Sequence, residues 1–564
     1  MHRPPSTDRP APRGLFKSKE AGPLPGGSAS GISAGPHPRP SLWFSSLKSR
    51  ERYKIPVPAE SEVMSRVTGA ALLGVEGVLV EVEIRVSAQL PRIDIVGLPA
   101  LSVKESAARV RAAIASIGEK FPRNRITVNL APAALRKNGA GLDLAIAVGI
   151  MLANDALERE GVHETAFIGE LALDGRLRPI PGALAMALAL QSHGCRRVVV
   201  PSACAGSASL APDIEILGAE NLSQVVEHLR GTQRLRATEA KVEQRHDSPG
   251  LCLSDVRGQE SSKRALEIAA AGGHATLLLG PPGSGKTMLA QRLPGLLPQM
   301  TAEEQLGATR VHCAAGLLGE VGSAITERPF RAPHHSSSSA GLLGGGQPPS
   351  PGEVSLAHGG VLLLDELPEF DRRCRESLRQ VLEEHQVTLA RSGIVSRFPA
   401  EFMLVCTANP CPCGFYGSHL RDCRCDESTV ERYRQRLSSP LLDRIDLHVT
   451  VPAQSWREWA STATGEPSQA VQLRVIQARQ RQLERTGTCN ARIPDSGLDR
   501  VLRLSSETEN LLGQAVDQFR LSARATRRIQ RVARTIADLS GASDIDPAAI
   551  AEAISYRRDF SLRD

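Results

Sequence analysis

A chain of 564 residues is more than one hydrophobic core can organise, so about two to four domains are expected. No apolar run approaches the roughly 18 residues needed to cross a bilayer, and no basic stretch followed by an apolar one opens the chain. Both points argue against membrane insertion and secretion, leaving the cytoplasm as the expected compartment. The net charge of +7 suggests nucleic acid, but residues 1–63 hold ten Lys/Arg against five Asp/Glu, which leaves only +2 for the other residues. Any DNA contact must therefore come from local basic patches and not from a global field.

Residues 1–63 are rich in Pro, Gly, Ser and Arg and lack apolar periodicity, so a disordered tail is expected. The ordered chain is read as starting at Met64. A translation start there, a transit peptide and a genuine disordered tail are the three readings of the segment. From Met64 the period-2 alternation of Val80, Val82, Ile84 and Val86 with charged residues predicts a half-buried strand. Val103, Ala107, Val110, Ile114 and Ile117 have helical spacing. Further strands are expected at "RITVNLAP", "FIGELAL" and "RRVVVPS", with a helix at "GLDLAIAVGIMLA". These elements define an α/β domain over 64–230, followed by a polar linker over 231–250.

The stretch "TLLLGPPGSGKTML" is a complete strand–loop–helix phosphate-binding motif, with its loop running through Gly280, Pro281, Pro282, Gly283, Ser284, Gly285, Lys286 and Thr287. Glycines allow successive backbone N–H groups to close on phosphate oxygens, the lysine reaches the β/γ oxygens, and the threonine hydroxyl ligates Mg²⁺. In "GGVLLLDELPEF" an apolar strand delivers Asp365, suited to Mg²⁺, and Glu366, suited to polarising the attacking water. A third apolar strand, "AEFMLVCTANP", ends in Asn409, which can bond both the γ-phosphate and the water. Arg444 in "LSSPLLDRIDLHV" is expected at a domain surface, where it either enters a neighbouring subunit's site or pairs with Asp443 or Asp446.

The motif order resembles that of AAA+ ATPases. "DVRGQESSKRALEIAAAGGHATLLLGPPGSGKTMLAQRLPGLLP", "RPFRAPHHSSSSAGLLGGG", "PGEVSLAHGGVLLLDELPEF" and "LSARATRRIQRVARTIADL" resemble the YifB/ComM family of magnesium chelatase-like AAA+ proteins from about Met64 onward. The resemblance implies an ATPase core over 251–480 and a helical lid over 481–564. By the same resemblance Asn409 is the sensor-1 residue, Arg444 the arginine finger and Arg524 the sensor-2 residue. It further implies Mg²⁺-dependent ATP hydrolysis by a homo-oligomeric, hexameric ring that acts on DNA, as in branch migration during natural transformation. For 64–230 it implies the S5-like fold shared with Lon proteases. Here the nucleophile region reads Gly139-Ala140-Gly141 with no Ser, and no Lys lies between Pro179 and Gly194, so no Ser–Lys proteolysis is expected. On the lid, Arg520, Arg524, Arg527, Arg531 and Arg534 are expected along one helical face, and Ile529, Val532, Ile536 and Leu539 along a buried one.

Five of eleven cysteines fall within 406–425. Cys406 belongs to a buried strand. Cys411, Cys413, Cys423 and Cys425 form two C-x-C pairs that either close a tetrahedral structural Zn²⁺ site or remain reduced thiols in an ordered loop. Three functions compete: a DNA motor, with Arg391 and Arg397 of a hairpin as pore contacts; a chelatase-type protein-remodelling ATPase; and a nucleotide-switched scaffold.

Overall fold

The computed structural model describes residues 64–561 apart from 135–136, 138, 140, 240–250, 319–323, 392–393, 419–420, 438, 455–459, 461–464 and 503. The expected 1–63 tail and the alternative chain start lie outside the described residues.

The first domain is a seven-stranded sheet in the order β3-β4-β2-β1-β5-β6-β7. Its strands are β1 (Met64–Leu73), β2 (Glu76–Ser87), β3 (Arg92–Val96), β4 (Arg125–Ala131), β5 (Thr165–Phe167), β6 (Arg197–Pro201) and β7 (Glu215–Ala219). As the alternation requires, Val80, Val82 and Ile84 are buried on one face of β2. The helical spacing is realised as α1 (Ser106–Ser116), with Ile117 as its C-cap and a separate turn of helix at Leu101–Lys104. The apolar segment is α2 (Asp143–Ala153), buried at every position, and the domain's later long helices are α3 (Ala183–Ser192) and α4 (Leu222–Leu229). "FIGELAL" does not form one strand. The chain leaves the sheet after Phe167, and Glu170–Leu171 pairs instead with Leu177–Arg178. The expected linker is also shorter, because Ala237 bridges Leu217 and Thr238 N donates to the Ile216 carbonyl at 2.8 Å. Residues 237–238 therefore lie along β7, residues 231–235 fold back on the preceding helix, and 240–250 lie outside the described residues.

Beneath α2, the Asp143 carboxylate accepts from Arg109 Nε at 2.6 Å, from Leu171 N at 3.3 Å and from the Ser106 hydroxyl. Lys137, 1 % exposed, donates to the carbonyls of Gly97 (3.0 Å), Leu130 (2.9 Å) and Pro132. Lys137 is consumed in tying backbone carbonyls together and Asp143 chiefly in holding Arg109 and Ser106, since a buried charge must be paired or bonded to persist.

The second domain carries a five-stranded parallel sheet. Helix α5 (Glu260–Gly272) precedes β8 (Thr276–Leu279), α6 (Lys286–Arg292), α7 (Ala302–Ala314), β9 (Phe330–Arg331), β10 (Val361–Leu364) and α8 (Arg372–Glu384). A hairpin β11 (Gln386–Arg391) and β12 (Ile394–Pro399) follows, then β13 (Met403–Ala408), α9 (Glu427–Arg434) and β14 (Leu447–Thr450). The sheet order is β9-β10-β13-β8-β14. Strands buried on both faces read as continuous apolar runs, and β10 and β13 are buried at all positions.

Four long helices follow among the described residues, α10 (Ser468–Thr486), α11 (Ser506–Phe519), α12 (Ala523–Ser540) and α13 (Pro547–Ser561), with a short helix at Asp495–Val501 between the first two. Because α10 is continuous and buries Val471, Val475 and Ala478, the chain is not divided at residue 480 as the sequence reading had it. The helical portion begins at Ser468. The predicted apolar face of α12 is present, with Ile529, Val532 and Ile536 in the core. Its arginines do not form one exposed row. Arg520 precedes the helix, Arg534 is 1 % exposed and bonded to Asp538, and Arg527 and Arg531 pair with Asp499 and Asp495.

The two domains share buried surface. Val75, in the turn between β1 and β2, joins the same buried cluster as Val311, Val387 and Phe398. Gly182 N donates to the Cys313 carbonyl at 2.9 Å, and Cys313 packs into the cluster of Leu184 and Cys204. The ATPase sheet and its helices meet at Asp446, which accepts from His274 Nδ1 at 3.1 Å and from Arg528. Burial alone would push the Asp446 carboxyl up, but Arg528 and His274 outweigh it and hold the group well below the usual carboxylate range.

Next to it, burial and the Arg557 guanidinium push buried His448 down to about 3, with Asp446 and Arg528 the other charges facing it. An unfolded histidine takes up its proton near pH 6.5, roughly. Between that pH and the folded value the unfolded state binds more protons, so stability is full at neutral pH and declines on acidification. Lowering the pH from 7 to 5 should cost roughly 2 kcal/mol from this group, or about 3 °C in melting midpoint. Thermal melts of the native chain should show this fall and His448→Gln a shallower one; equal slopes would mean another group titrates.

Candidate nucleotide site

Strand register brings the site together. Leu279 pairs with Ala408 and Leu364 with Cys406, so the residues following β8, β10 and β13 emerge side by side at the carboxyl edge of the sheet. This is where ligands bind in open α/β sheets. Gly283 and Gly285 have φ of 76° and 87°, a region that favours glycine, and Gly285 caps the start of α6.

Lys286 Nζ donates to the carbonyls of Gly280 and Pro281, both at 2.8 Å, and to Asn409 Oδ1 at 3.1 Å. Burial lowers the pKa of this ammonium, while Asp365 and Glu366 partly restore it. Thr287 Oγ1 lies 3.1 Å from each oxygen of Asp365, an arrangement able to hold Mg²⁺ between hydroxyl and carboxylate. Ser284 Oγ is buried without a partner within the loop. A backbone cradle with glycines in left-handed conformation, an ammonium and a hydroxyl–carboxylate pair fit a Mg²⁺-bound nucleotide phosphate.

Two residues missed in the sequence support these. Thr407 Oγ1 donates to Asp365 Oδ1 at 2.5 Å and accepts from Glu366 N at 2.9 Å, fixing both acids. A lone hydroxyl inside the apolar strand "MLVCTA" was its only signal. Gln259 (φ 55°) donates from Nε2 to the Ser284 carbonyl at 2.6 Å and backs the phosphate loop. Glu366 also has a positive φ, 56°, and its carboxylate lies 3.6 Å from His335 Nδ1. Strain of this kind gathers at functional sites.

Arg444 and Arg524 lie elsewhere. Arg444 is not at the surface as expected: it is 4 % exposed and paired with Glu383 of α8, not with Asp443 or Asp446. It also donates to the Pro440 carbonyl, and its Nε is buried with no partner among the described residues. Arg524 stands half-exposed 3.9 Å from the same Glu383 oxygen. Among the described residues no hydrogen bond or ion pair joins either arginine to the phosphate loop.

Arg391 and Arg397 are both exposed on the hairpin. The register pairs Thr388 with Arg397 and Arg391 with Ile394, which puts the two arginines on opposite faces. Cys406 is fully buried in β13 and burial pushes its thiol far up. Cys411, Cys413, Cys423 and Cys425 converge, with all four sulfurs within 4.8 Å of one another.

Residues 252–459 match the family described as magnesium chelatase, subunit ChlI; residues 82–204 match subunit ChlI of Mg-chelatase, and 465–557 its C-terminal part. The fold and site therefore define a magnesium chelatase-like AAA+ ATPase. The chain is 43 % identical over 498 residues to Competence protein ComM of Haemophilus influenzae, covering 87 % of this chain and 97 % of that protein. It is 41 % identical over 500 residues to the uncharacterized protein YifB of Escherichia coli, covering 88 % and 97 %. A partial likeness, 24 % over 206 residues, connects it with DNA replication licensing factor Mcm2 of Drosophila melanogaster, covering 34 % and 20 %. The chain belongs to the YifB/ComM family.

Thr407→Val should keep the strand but release both acids. We expect kcat to fall about tenfold or more, in the range for disturbing a positioned base, with ATP affinity changed less than threefold. Steady-state ATPase kinetics beside a nucleotide titration check this, and an unchanged kcat would remove the positioning role.

Proposed function

We propose that this chain is a ring-forming, cytoplasmic ATPase that spends MgATP on remodelling DNA, with branch migration or helicase action as the work done. The observation that carries the reading is the convergence of Lys286, Thr287, Asp365, Glu366 and Asn409 at one sheet edge. In this mechanism the loop from Gly280 to Thr287 cradles the phosphates, and Thr287 and Asp365 hold Mg²⁺. Glu366 polarises water, and Asn409 ties that water to the γ-phosphate. DNA as the partner is supported by the name of the ComM relative, which is a competence protein, and by the partial likeness to a replication licensing factor. Natural transformation is the corresponding setting. Arg391 and Arg397 are the proposed DNA contacts. The four clustered thiols are read as a closed structural zinc site, since four protein ligands leave no open position.

The first domain, without a Ser–Lys pair, is read as a binding or ring-forming module. Arg444 and Arg524 converge on Glu383 and not on their own phosphate loop. That placement supports a hexamer in which both serve the neighbour's nucleotide as finger and sensor 2, exchanging Glu383 for phosphate. The family description favours one competitor, a protein-remodelling ATPase of the chelatase kind.

Stimulation of ATP turnover by single-stranded or branched DNA decides between the two. A rate unaffected by any DNA would favour the remodelling reading. Glu366→Gln should bind ATP and turn it over at least about 100-fold more slowly, and a normal rate would remove its role. Arg444→Ala should lose about 10³-fold or more in rate if it completes a neighbour's site. Mixing it with Lys286→Ala chains should restore part of the activity. If Arg444→Ala alone stays near normal, the finger assignment is wrong.

A further inference from the structure

We infer that Cys411, Cys413, Cys423 and Cys425 hold one Zn²⁺ that braces the phosphate loop. The inference extends the reading of that loop as the ATP site. The sulfur of Cys411 lies 3.4 Å from Cys413 and 3.7 Å from Cys423, and Cys413 lies 3.6 Å from Cys423. Thiolates at zinc's bond length of about 2.3 Å, on the corners of a tetrahedron, stand roughly 3.8 Å apart. Tyr416 N donates to the Cys411 sulfur at 3.4 Å, the kind of backbone contact that supports ligand sulfurs. Between β13 and α9, residues 409–426 contain no helix or strand among those described. So long a connection without secondary structure calls for a clip.

The clip is placed against the catalytic loop at both ends. It leaves the sheet at Asn409, which accepts from Lys286. It returns at Gly414 (φ 83°), where an added Cβ would collide with the Pro282 ring of the phosphate loop. On the far side the Tyr416 ring sits 4.8 Å from the Arg434 guanidinium of α9. With its four thiols tied, the loop presses Gly414 onto Pro282. With them released, the loop keeps the Asn409–Lys286 and Tyr416–Arg434 contacts but loses the four-point tie that flanks Gly414.

Elemental analysis of the full chain, purified without chelators, should find about one zinc per chain, and the double variant Cys413→Ser/Cys423→Ser should lose it. Absence of zinc, or iron in its place, overturns the metal assignment. Stripping zinc with a chelator that spares Mg²⁺ should weaken binding of a fluorescent ATP analogue about tenfold, reversed by adding zinc, with circular dichroism unchanged. If the stripped chain unfolds, Gly414→Ala carries the test: it keeps all four thiols and zinc but should weaken nucleotide binding severalfold. Unchanged affinity in that variant overturns the brace. If the unaltered chain binds no ATP analogue while Lys286→Ala behaves identically, the ATPase reading fails and the brace with it, and the zinc count alone decides the metal.

Discussion

The nucleotide site depends on one backbone relationship, the parallel register that sets Leu279 beside Ala408 and Leu364 beside Cys406. Hydrogen bonds between apolar strands fix that register, and it brings Lys286, Asp365 and Asn409, far apart in the chain, to the same edge. A slip by one residue would turn each side chain to the opposite face. Thr407 would then leave both acids, and Asn409 would lose Lys286. Burial on both faces of β10 and β13 is what makes such a slip prohibitive.

The sequence made the phosphate loop, the acidic strand end and the buried cysteine strand legible because each is a local signal. Glycines, a lysine and a hydroxyl at fixed spacing specify their chemistry without reference to the rest of the chain. What depended on distant partners could not be read. Nothing in "DRID" announces that Arg444 is buried against Glu383, because α8 lies 61 residues earlier. Arg534 was read as one of five arginines along a single helical face, yet it is buried, and Asp538 one turn on makes that burial tolerable. The end of the ATPase core was misplaced at residue 480 because a charged helix such as α10 hides its apolar face in a low density of Val and Ala. Thr407 was passed over because one hydroxyl in an apolar strand usually has no consequence.

The charged groups of the helical portion are used mainly inside the chain. Arg485 and Asn490 bond to Asp538, and Arg528 bonds to Asp446. Replacing one partner of such a buried pair costs more than the pair contributes, since the other charge is stranded. These contacts join helices to the sheet at a defined angle. Arg524 beside Glu383 is an exposed exception, as are Arg391 and Arg397 on the hairpin outside this portion.

The turn between β1 and β2 gives this arrangement a mechanical sense. Val75 is set among residues of the hairpin strands, and a Cβ at Gly74 would stand 3.3 Å from the Arg397 carbonyl oxygen. A second attachment, Gly182 to Cys313, lies on α7. One attachment would be a pivot, whereas two remove the swivel. The first domain and the Arg397 hairpin are therefore held in one fixed orientation by these two attachments, at the turn between β1 and β2 and at α7.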